Sequence, residues 1–492
     1  MVAVRRIDAR LGGGVTGGGL ASRRLVAALL ALLAAALLAA PARANQAPPE
    51  PGPPPANAAA PPSPVPPTPA PATDPNAAVP GVAPQLPVEQ PPAPPPPFTD
   101  LTPLPIPVEP APAPAAPEEP PPAIIPWLSL PPRLPPTQIH AFVSQGYFRS
   151  TRNNYLIDDS TKGSFEFTEV GINFTQLLTD DLRTGIQLFS RQLGKDGDFR
   201  ARMDWFYLDY HFADWLGLRA GRTKIPFGLY NEVNDIDSAR VPILLPQSLY
   251  PIVNRNLLLA QTGVELYGYL GLDIAGGLEY RFYGGTLFAD PPVLAPGLIL
   301  NKYKVPYLAG GRVMWETPIG LRLGGSVQAL RFNINATLPG AAGMPPLTLE
   351  EDLPFTLWLV SAEYALHDLL LAGEFGHWHA DVDVTGLPQT SVTNQRFYGM
   401  ASYRASPWFA PGVYYSSLLS DIHKPLTRDN YQHDFAATLR FDINSYWLVK
   451  LEGHYIDGTT DVLPALNGGD TVTMESLARQ WFVFLVKTTA YF

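Results

Sequence analysis

A chain of 492 residues with no cysteine and a formal net charge of −10 takes no stability from disulfides, and its acidic balance argues against a nucleic-acid partner. Its length has room for several domains, but composition divides it sharply: 38 of its 57 prolines fall within residues 45–136. From Thr137 onward aromatics, glycine and threonine take over.

In chain order, Arg23 and Arg24 precede an alanine-rich apolar run over 25–40, and Ala42-Arg43-Ala44 follows it. A charged n-region, an h-region and an A-x-A site read as a cleaved secretory signal peptide over 1–44. The run is short for the ~20 residues that a membrane-spanning helix needs. The glycine-rich stretch before Ala21 is longer than an n-region requires, which points to a later start, and the arginine pair also fits a twin-arginine export signal. Cleavage removes six basic residues and Asp8, leaving a mature chain near −15 (−10 − 5). No cysteine follows the site, so a lipid-anchored N-terminus is unsupported.

Residues 45–136 are proline and alanine with little else. Too little apolar surface is present to bury a core, so this stretch is expected to be a disordered periplasmic arm that favours polyproline II. At ~3.1 Å per residue it would reach roughly 280 Å when fully extended. A plain spacer and an arm that meets the cell wall are both open readings. Residues 123–130 (AIIPWLSL) are more apolar and suit docking on the mouth of the following domain.

Residues 137–492 contain no apolar run long enough for a spanning helix. They hold segments of about ten residues with period-two alternation, the pattern of a membrane barrel. Leu182, Thr184, Ile186 and Leu188 alternate with Arg183, Gly185 and Gln187; Leu272, Ile274, Leu278, Tyr280 and Phe282 alternate with Asp273, Glu279 and Arg281. Phe435 and Leu439 alternate with Asp434, Thr438 and Arg440; Trp447, Val449 and Leu451 alternate with Lys450, Glu452 and His454. Connections between strands are short and long in turn, the long ones including 226–259, 285–303 and 333–354. The fold class is therefore all-β: a closed antiparallel transmembrane barrel of about 16 strands, in the range 16–18, preceded by the arm. Aromatics beside the short turns (Phe174, Trp215, Trp315, Trp408, Phe441, Tyr446 and Trp447) suit a headgroup-level girdle. The chain ends on an amphipathic strand with a terminal Phe492, which resembles the assembly signal of bacterial outer-membrane proteins read by the barrel-assembly machinery.

A barrel this wide leaves an aqueous channel. Its inward wall is expected to carry Arg183, Arg191, Arg219, Lys224, Glu279, Arg281, Arg312 and Arg322, with Glu265, Glu363, Arg440, Lys450 and Glu452 among others. The longest connection holds prolines at 226, 242, 246 and 251, which excludes a central strand. Its apolar residues Ile243, Leu244, Leu245, Leu249 and Tyr250 argue against disorder, so the segment is expected to fold inward and narrow the pore. Glu232, Asp235, Asp237, Arg240 and Arg255 are its candidate constriction residues. The carboxylates either set a transverse field against the basic wall or act as ion pairs that pin the loop; the sequence leaves both open. The other long loops are acidic (Asp158, Asp159, Asp290, Glu350, Asp352, Asp381, Asp383, Asp461 and Asp470).

The passage GRTKIPFGLYNEVNDIDSARVPILLPQSLYP over 221–251 resembles the strand-to-loop junction of the phosphate-selective porin O and P-like family, in which a strand ending G-R/Q-x-K-x-P-F-G runs into a folded-in loop. The resemblance is clearest over 219–251, looser over 137–492, and excludes the arm. It implies a homotrimeric outer-membrane porin with this loop at the constriction, and Lys224 stands at the motif's own lysine. The family's phosphate specificity rests on a lysine-rich pore, whereas lysine is scarce here. Arg222 and Lys224 break the alternation of Leu218 and Ala220, which predicts a bulge.

Enzymatic signals are thin. No G-x-S-x-G occurs, and no serine–histidine dyad is recognisable. His377, His379 and Asp381 share a strand face at spacing two, a weak metal pattern; no metal or other cofactor is expected. The leading expectation is an outer-membrane diffusion channel for small hydrophilic solutes or ions, in contact with lipid. A tether reaching peptidoglycan through the arm, and an outer-membrane hydrolase, are the alternatives.

Overall fold

A computed structural model describes residues 134–194, 197–252, 255–288, 299–338, 346–382, 390–468 and 476–492. The expected signal peptide, almost all of the arm and the acidic positions Asp290, Asp383 and Asp470 lie outside them.

Sixteen strands are present among the described residues: β1 (Gln138–Ser150), β2 (Ser164–Leu177), β3 (Leu182–Leu193), β4 (Arg202–Ala213), β5 (Leu216–Lys224), β6 (Ala260–Gly271), β7 (Gly277–Leu287) and β8 (Ile299–Glu316), then β9 (Leu321–Leu338), β10 (Leu347–Leu366), β11 (Leu369–Val382), β12 (Thr390–Tyr403), β13 (Phe409–Leu419), β14 (Tyr431–Asn444), β15 (Trp447–Gly458) and β16 (Gln480–Tyr491). Each pairs antiparallel with its sequence neighbour, and β1 pairs with β16 from Phe142↔Tyr491 to Ser150↔Val483. Ala141 and Phe492 exchange both backbone N–H···O bonds at 3.0 Å. The sheet is thus a closed barrel, the form in which a strand structure leaves no unpaired edge for lipid.

Side-chain chemistry follows the pleat. Val143, Leu188, Leu208, Leu266, Phe282, Val327, Val360, Val413, Phe435 and Phe484 are exposed on the outside. Their neighbours Gln187, Asp209, Glu265, Arg281, Glu374, Asp434, Lys450 and Lys487 are buried on the inside. Apolar residues that stay exposed in a belt around a closed sheet are the lipid-facing surface of a membrane barrel. Trp215, Trp315, Trp408, Tyr446 and Trp447 are exposed next to the short turns, and Trp408 stacks on Phe441.

Three details differ from expectation. The strand expected from 272 begins at Gly277: Asp273–Ala275 form a 3-10 turn with Asp273 at φ 50°, so Asp273 is not on the pore wall and Leu272 and Ile274 are turn residues. The apolar alternation ran on through a turn that sits at the lipid boundary. The loop expected over 333–354 is mostly strand, with β9 and β10 paired from Tyr364↔Leu321 to Leu347↔Leu338, so Glu350–Asp352 lie in β10. Along these two strands the pattern inverts. Lower on β9, Leu323 and Val327 face out while Arg322, Ser326 and Gln328 face in; higher up, Arg331, Asn333 and Asn335 face out while Leu330, Phe332, Ile334 and Ala336 are buried inside. Once the wall rises out of lipid its outside meets water and its inside meets packed protein. Finally, the bulge expected at Arg222–Lys224 is absent: β5 and β6 stay in register from Gly217↔Tyr267 to Lys224↔Ala260, and Gly221 within β5 takes φ 129°. A Cβ there would stand 2.5 Å from the Phe206 carbonyl oxygen, so only glycine fits.

Candidate functional site

The connection from β5 to β6 decides what the barrel interior is. Its four prolines keep it out of the sheet, and the chain instead makes 3-10 turns at Asn231–Val233 and Asp237–Ala239 and one helical turn at Arg255–Leu258. Ile225, Phe227, Ile243, Leu244, Leu245, Leu249 and Tyr250 are each at most 2% exposed. Ile225, Phe227, Leu245, Leu249 and Tyr250 join a core with the inward faces of β9–β12, including Phe332, Phe355, Leu357, Trp378 and Tyr398. Ile243 and Leu244 pack in a second core with Phe148, Phe167, Trp481 and Leu485 of β1, β2 and β16. At about 1.5–3 kcal/mol for each fully buried aliphatic or phenyl side chain, these anchors hold the segment inside the wall.

Wall side chains grip its main chain. Lys450 donates to the carbonyls of Asp237 (2.7 Å), Arg240 (2.8 Å) and Pro242 (3.3 Å), and Arg440 to those of Ser238 (2.7 Å) and Arg240 (3.1 Å). Lys224 donates to Glu232 O at 2.6 Å and Arg312 to Gly228 O at 3.0 Å. From the acceptor side, Glu452 takes the N–H groups of Ile243 (2.6 Å) and Leu244 (2.8 Å). Glu374 takes the N–H of Leu229 (3.0 Å) and the hydroxyls of Tyr250, Tyr398 (2.8 Å) and Ser361 (2.5 Å).

All five predicted loop residues lie in this arrangement. Glu232 pairs with Arg281 at 2.5 Å and Arg312 at 3.1 Å. Asp235 pairs with Lys224 at 2.6 Å and Arg255 at 3.7 Å, and Gln187 donates to it at 2.7 Å. Asp237 meets Lys487 at 2.6 Å, Arg240 at 3.2 Å and Lys450 at 3.8 Å. Arg255 also bonds Asp204 of β4, 3.0 Å to Oδ1. Burial pushes all three carboxyls up, but these cations outweigh it: Glu232 and Asp235 are held at about 2, and Asp237 well below the usual carboxylate range.

Six of the eight predicted wall residues form an arc nearer the short-turn rim, whereas Lys224 ends β5 at the loop. Arg183 and Arg219 share Asp209 at 2.5 and 3.2 Å. Arg219 and Arg281 share Glu265, the Arg281 Nε at 2.8 Å. Arg312 binds Glu279 at 2.7 Å, and Arg322 binds Glu316 and Glu363, both at 3.0 Å. Arg191 stands apart near the long-loop rim, where it donates to Ile252 O at 3.3 Å. With Phe189, Arg202, Asp204, Arg222 and Arg255 it lines a cavity of about 330 Å³.

Several organising residues had no place among the predicted site: Glu374, Asp204, Asp209, Glu169 and Asp434. Glu374 shares a period-two face with Ala372 and Trp378, which marked it as inward. Asp204 was hidden by the bulge that shifts register between β3 and β4 at Gln187/Leu188. Of the weak metal pattern, His377 packs on Trp358 and Phe375, while His379 bonds Thr393 and Asp381.

No family model matches this chain, and no curated protein matches it. Solved structures do. The outer-membrane channel DcaP of Acinetobacter baumannii is similar at 12% identity and a TM-score of 0.48, over 72% of this chain and 97% of that one. OmpF of Salmonella typhi, solved with daunomycin, is similar at 13% and 0.46 over 72% and 97%; an anion-selective porin from Comamonas acidovorans at 10% and 0.46 over 73% and 99%.

Proposed function

We propose that this protein is an outer-membrane porin: a diffusion channel for small hydrophilic solutes or ions, constricted by the inward segment 226–259. One observation carries the reading. The wall is closed, apolar outside and charged inside, so it separates lipid from a polar lumen along its whole circumference. Nothing in such a wall needs to move for a solute to pass; passage is set by width and by the charges on the way. In the arc from Arg183 to Arg322 five arginines face Asp209, Glu232, Glu265, Glu279, Glu316 and Glu363, so the wall there is close to charge-compensated. Size at the loop, more than sign of charge, is then the main filter. In this reading the short turns face the periplasm, and Gln138 enters the barrel on that side, where a peptidoglycan contact through residues 45–136 would have to start. Assembly through Phe492 and a homotrimer belong to the same proposal.

Reconstitution into a planar bilayer with a salt gradient tests it. Stepwise conductance with a small reversal potential is expected. Folded, heat-resistant protein that gives no ion current would overturn the channel.

A further inference from the structure

We propose that the inner wall formed by β4–β6 carries a stacking site for saccharides; this rests on the channel reading and names a solute class for it. Trp205 and Tyr207 of β4 and Tyr267 of β6 share the inward face with Asp209 and Glu265, and all three are half-buried. The Trp205 and Tyr207 rings are stacked, 5.4 Å between centroids and 15° between planes. The Arg219 guanidinium continues the row, 5.0 Å from the Tyr207 ring and 4.8 Å from the Tyr267 ring. Four flat groups therefore follow one another along the wall, starting beside Gln187, which donates to the loop's Asp235, and ending toward the short-turn rim.

The neighbouring strands are cut to admit these rings. A Cβ on Gly185 would come within 2.9 Å of Tyr207 and 3.0 Å of Trp205, and one on Gly217 within 2.2 Å of Tyr267. Glycine at both places makes room for the rings against the sheet, where they stay partly exposed. Polar groups border the row. The Asp209 carboxylate accepts from Arg183 (2.5 Å), Arg219 (3.2 Å) and the Tyr267 hydroxyl (2.7 Å). The Trp205 Nε1–H is buried and has no acceptor among the described residues.

Flat π faces beside paired donors and acceptors fit one kind of solute best. A pyranose offers a C–H face to stack and a rim of hydroxyls that both donate and accept, with no net charge to desolvate. A simple ion finds these charges already compensated. An aromatic acid could stack, but the Arg183 and Arg219 guanidiniums that would receive its carboxylate are already paired with Asp209 and Glu265.

The full-length protein in a planar bilayer, with maltotriose and cellotriose as probes, tests the site. Concentration-dependent interruption of the ion current is expected. Y207A should raise the half-blocking concentration by about tenfold, the scale of one lost aromatic stacking contact. Y207F, which keeps the ring, should stay within about twofold of the parent, and the lipid-facing L208A should match it. Tryptophan fluorescence titrated with the same sugars in detergent, with W205F used to assign the Trp205 share, gives an independent constant where a variant inserts poorly. Steady current with no sugar block and no fluorescence change would overturn the saccharide site and leave the channel standing. Block by benzoate at lower concentration than by sugar, or equal losses in Y207A and Y207F, would overturn it too. Absence of any current from folded protein would remove the channel, and this site with it.

Discussion

Replacing Asp237 by asparagine puts the grip on the loop to a quantitative test. The Asp237 carboxylate faces three cations, Lys487, Lys450 and Arg240, and Thr489 donates to it at 2.9 Å. Lys450 and Lys487 are 0% and 1% exposed. Without the charge Lys487 keeps Glu169 at 2.5 Å, but Lys450 is left with carbonyl oxygens alone and Arg240 loses its ion pair. Of the three buried cations only Lys487 then keeps a carboxylate, where all three had one. Removing one partner from a buried ion pair costs about 3–5 kcal/mol, which corresponds to roughly a hundred- to several-thousand-fold increase in the open population of the segment. Backbone amide exchange of residues 226–259 in detergent micelles, followed by mass spectrometry, reads that population directly, and single-channel current should become noisier and larger in parallel. Exchange within about threefold of the parent, under about 0.7 kcal/mol, would refute the idea that this charge holds the loop in place.

Acid should act on the same contacts. Glu232 and Asp235 are held at about 2 and Asp237 lower still, while free carboxyls titrate near about 4; the stability these groups give the loop is therefore complete above about pH 4 and fades as pH falls toward 2, visible as faster exchange of 226–259 at pH 3 than at pH 6 after correction for intrinsic rates. Asp461, in the β15–β16 connection, has the opposite sense: burial pushes it up to about 7, against the Tyr155 hydroxyl bond and Arg396, which pull it down. Its folded form keeps a proton that an opened loop releases near about 4, so packing of this connection weakens as pH rises from about 4 to 7, and D461N should abolish that slope when followed through the tryptophan fluorescence that W481F removes, Trp481 lying 5.0 Å from Tyr155. On the lipid face, Val360 is 53% exposed in mid-β10; V360K should cost about 2–4 kcal/mol if it sits near the bilayer midplane, measured by urea unfolding in lipid vesicles, whereas V360A should be nearly silent.

The wall was legible because lipid and lumen impose opposite demands at a spacing of two residues, and alternating turn lengths gave the strand number. The boundaries were less so. At Leu272 and Ile274 the apolar rhythm continued into a turn, since residues at the lipid edge are apolar whether or not they are paired. Above the membrane the β9–β10 hairpin exchanged the chemistry of its faces, so a strand there looked like a loop with scattered charges such as Glu350–Asp352. The inward course of 226–259 could be foreseen from prolines that bar pairing and leucines that need burial. Its partners could not: Glu374, Glu452 and Lys487 come from strands more than a hundred residues away, and which of many inward groups meets a given turn depends on the register of the whole barrel.

The hold on the loop by Lys450, Arg440, Glu452 and Lys224 is made largely on peptide oxygens and nitrogens, which every residue possesses. Ser238 could therefore change identity without loosening that clasp, as could Ile243 and Leu244 within the limits of volume and apolarity. At positions gripped only through the main chain the constraint sits on the staves of the cask rather than on the stopper, so a library randomised at Ser238 should retain shape far more often than one randomised at the four residues that clasp it.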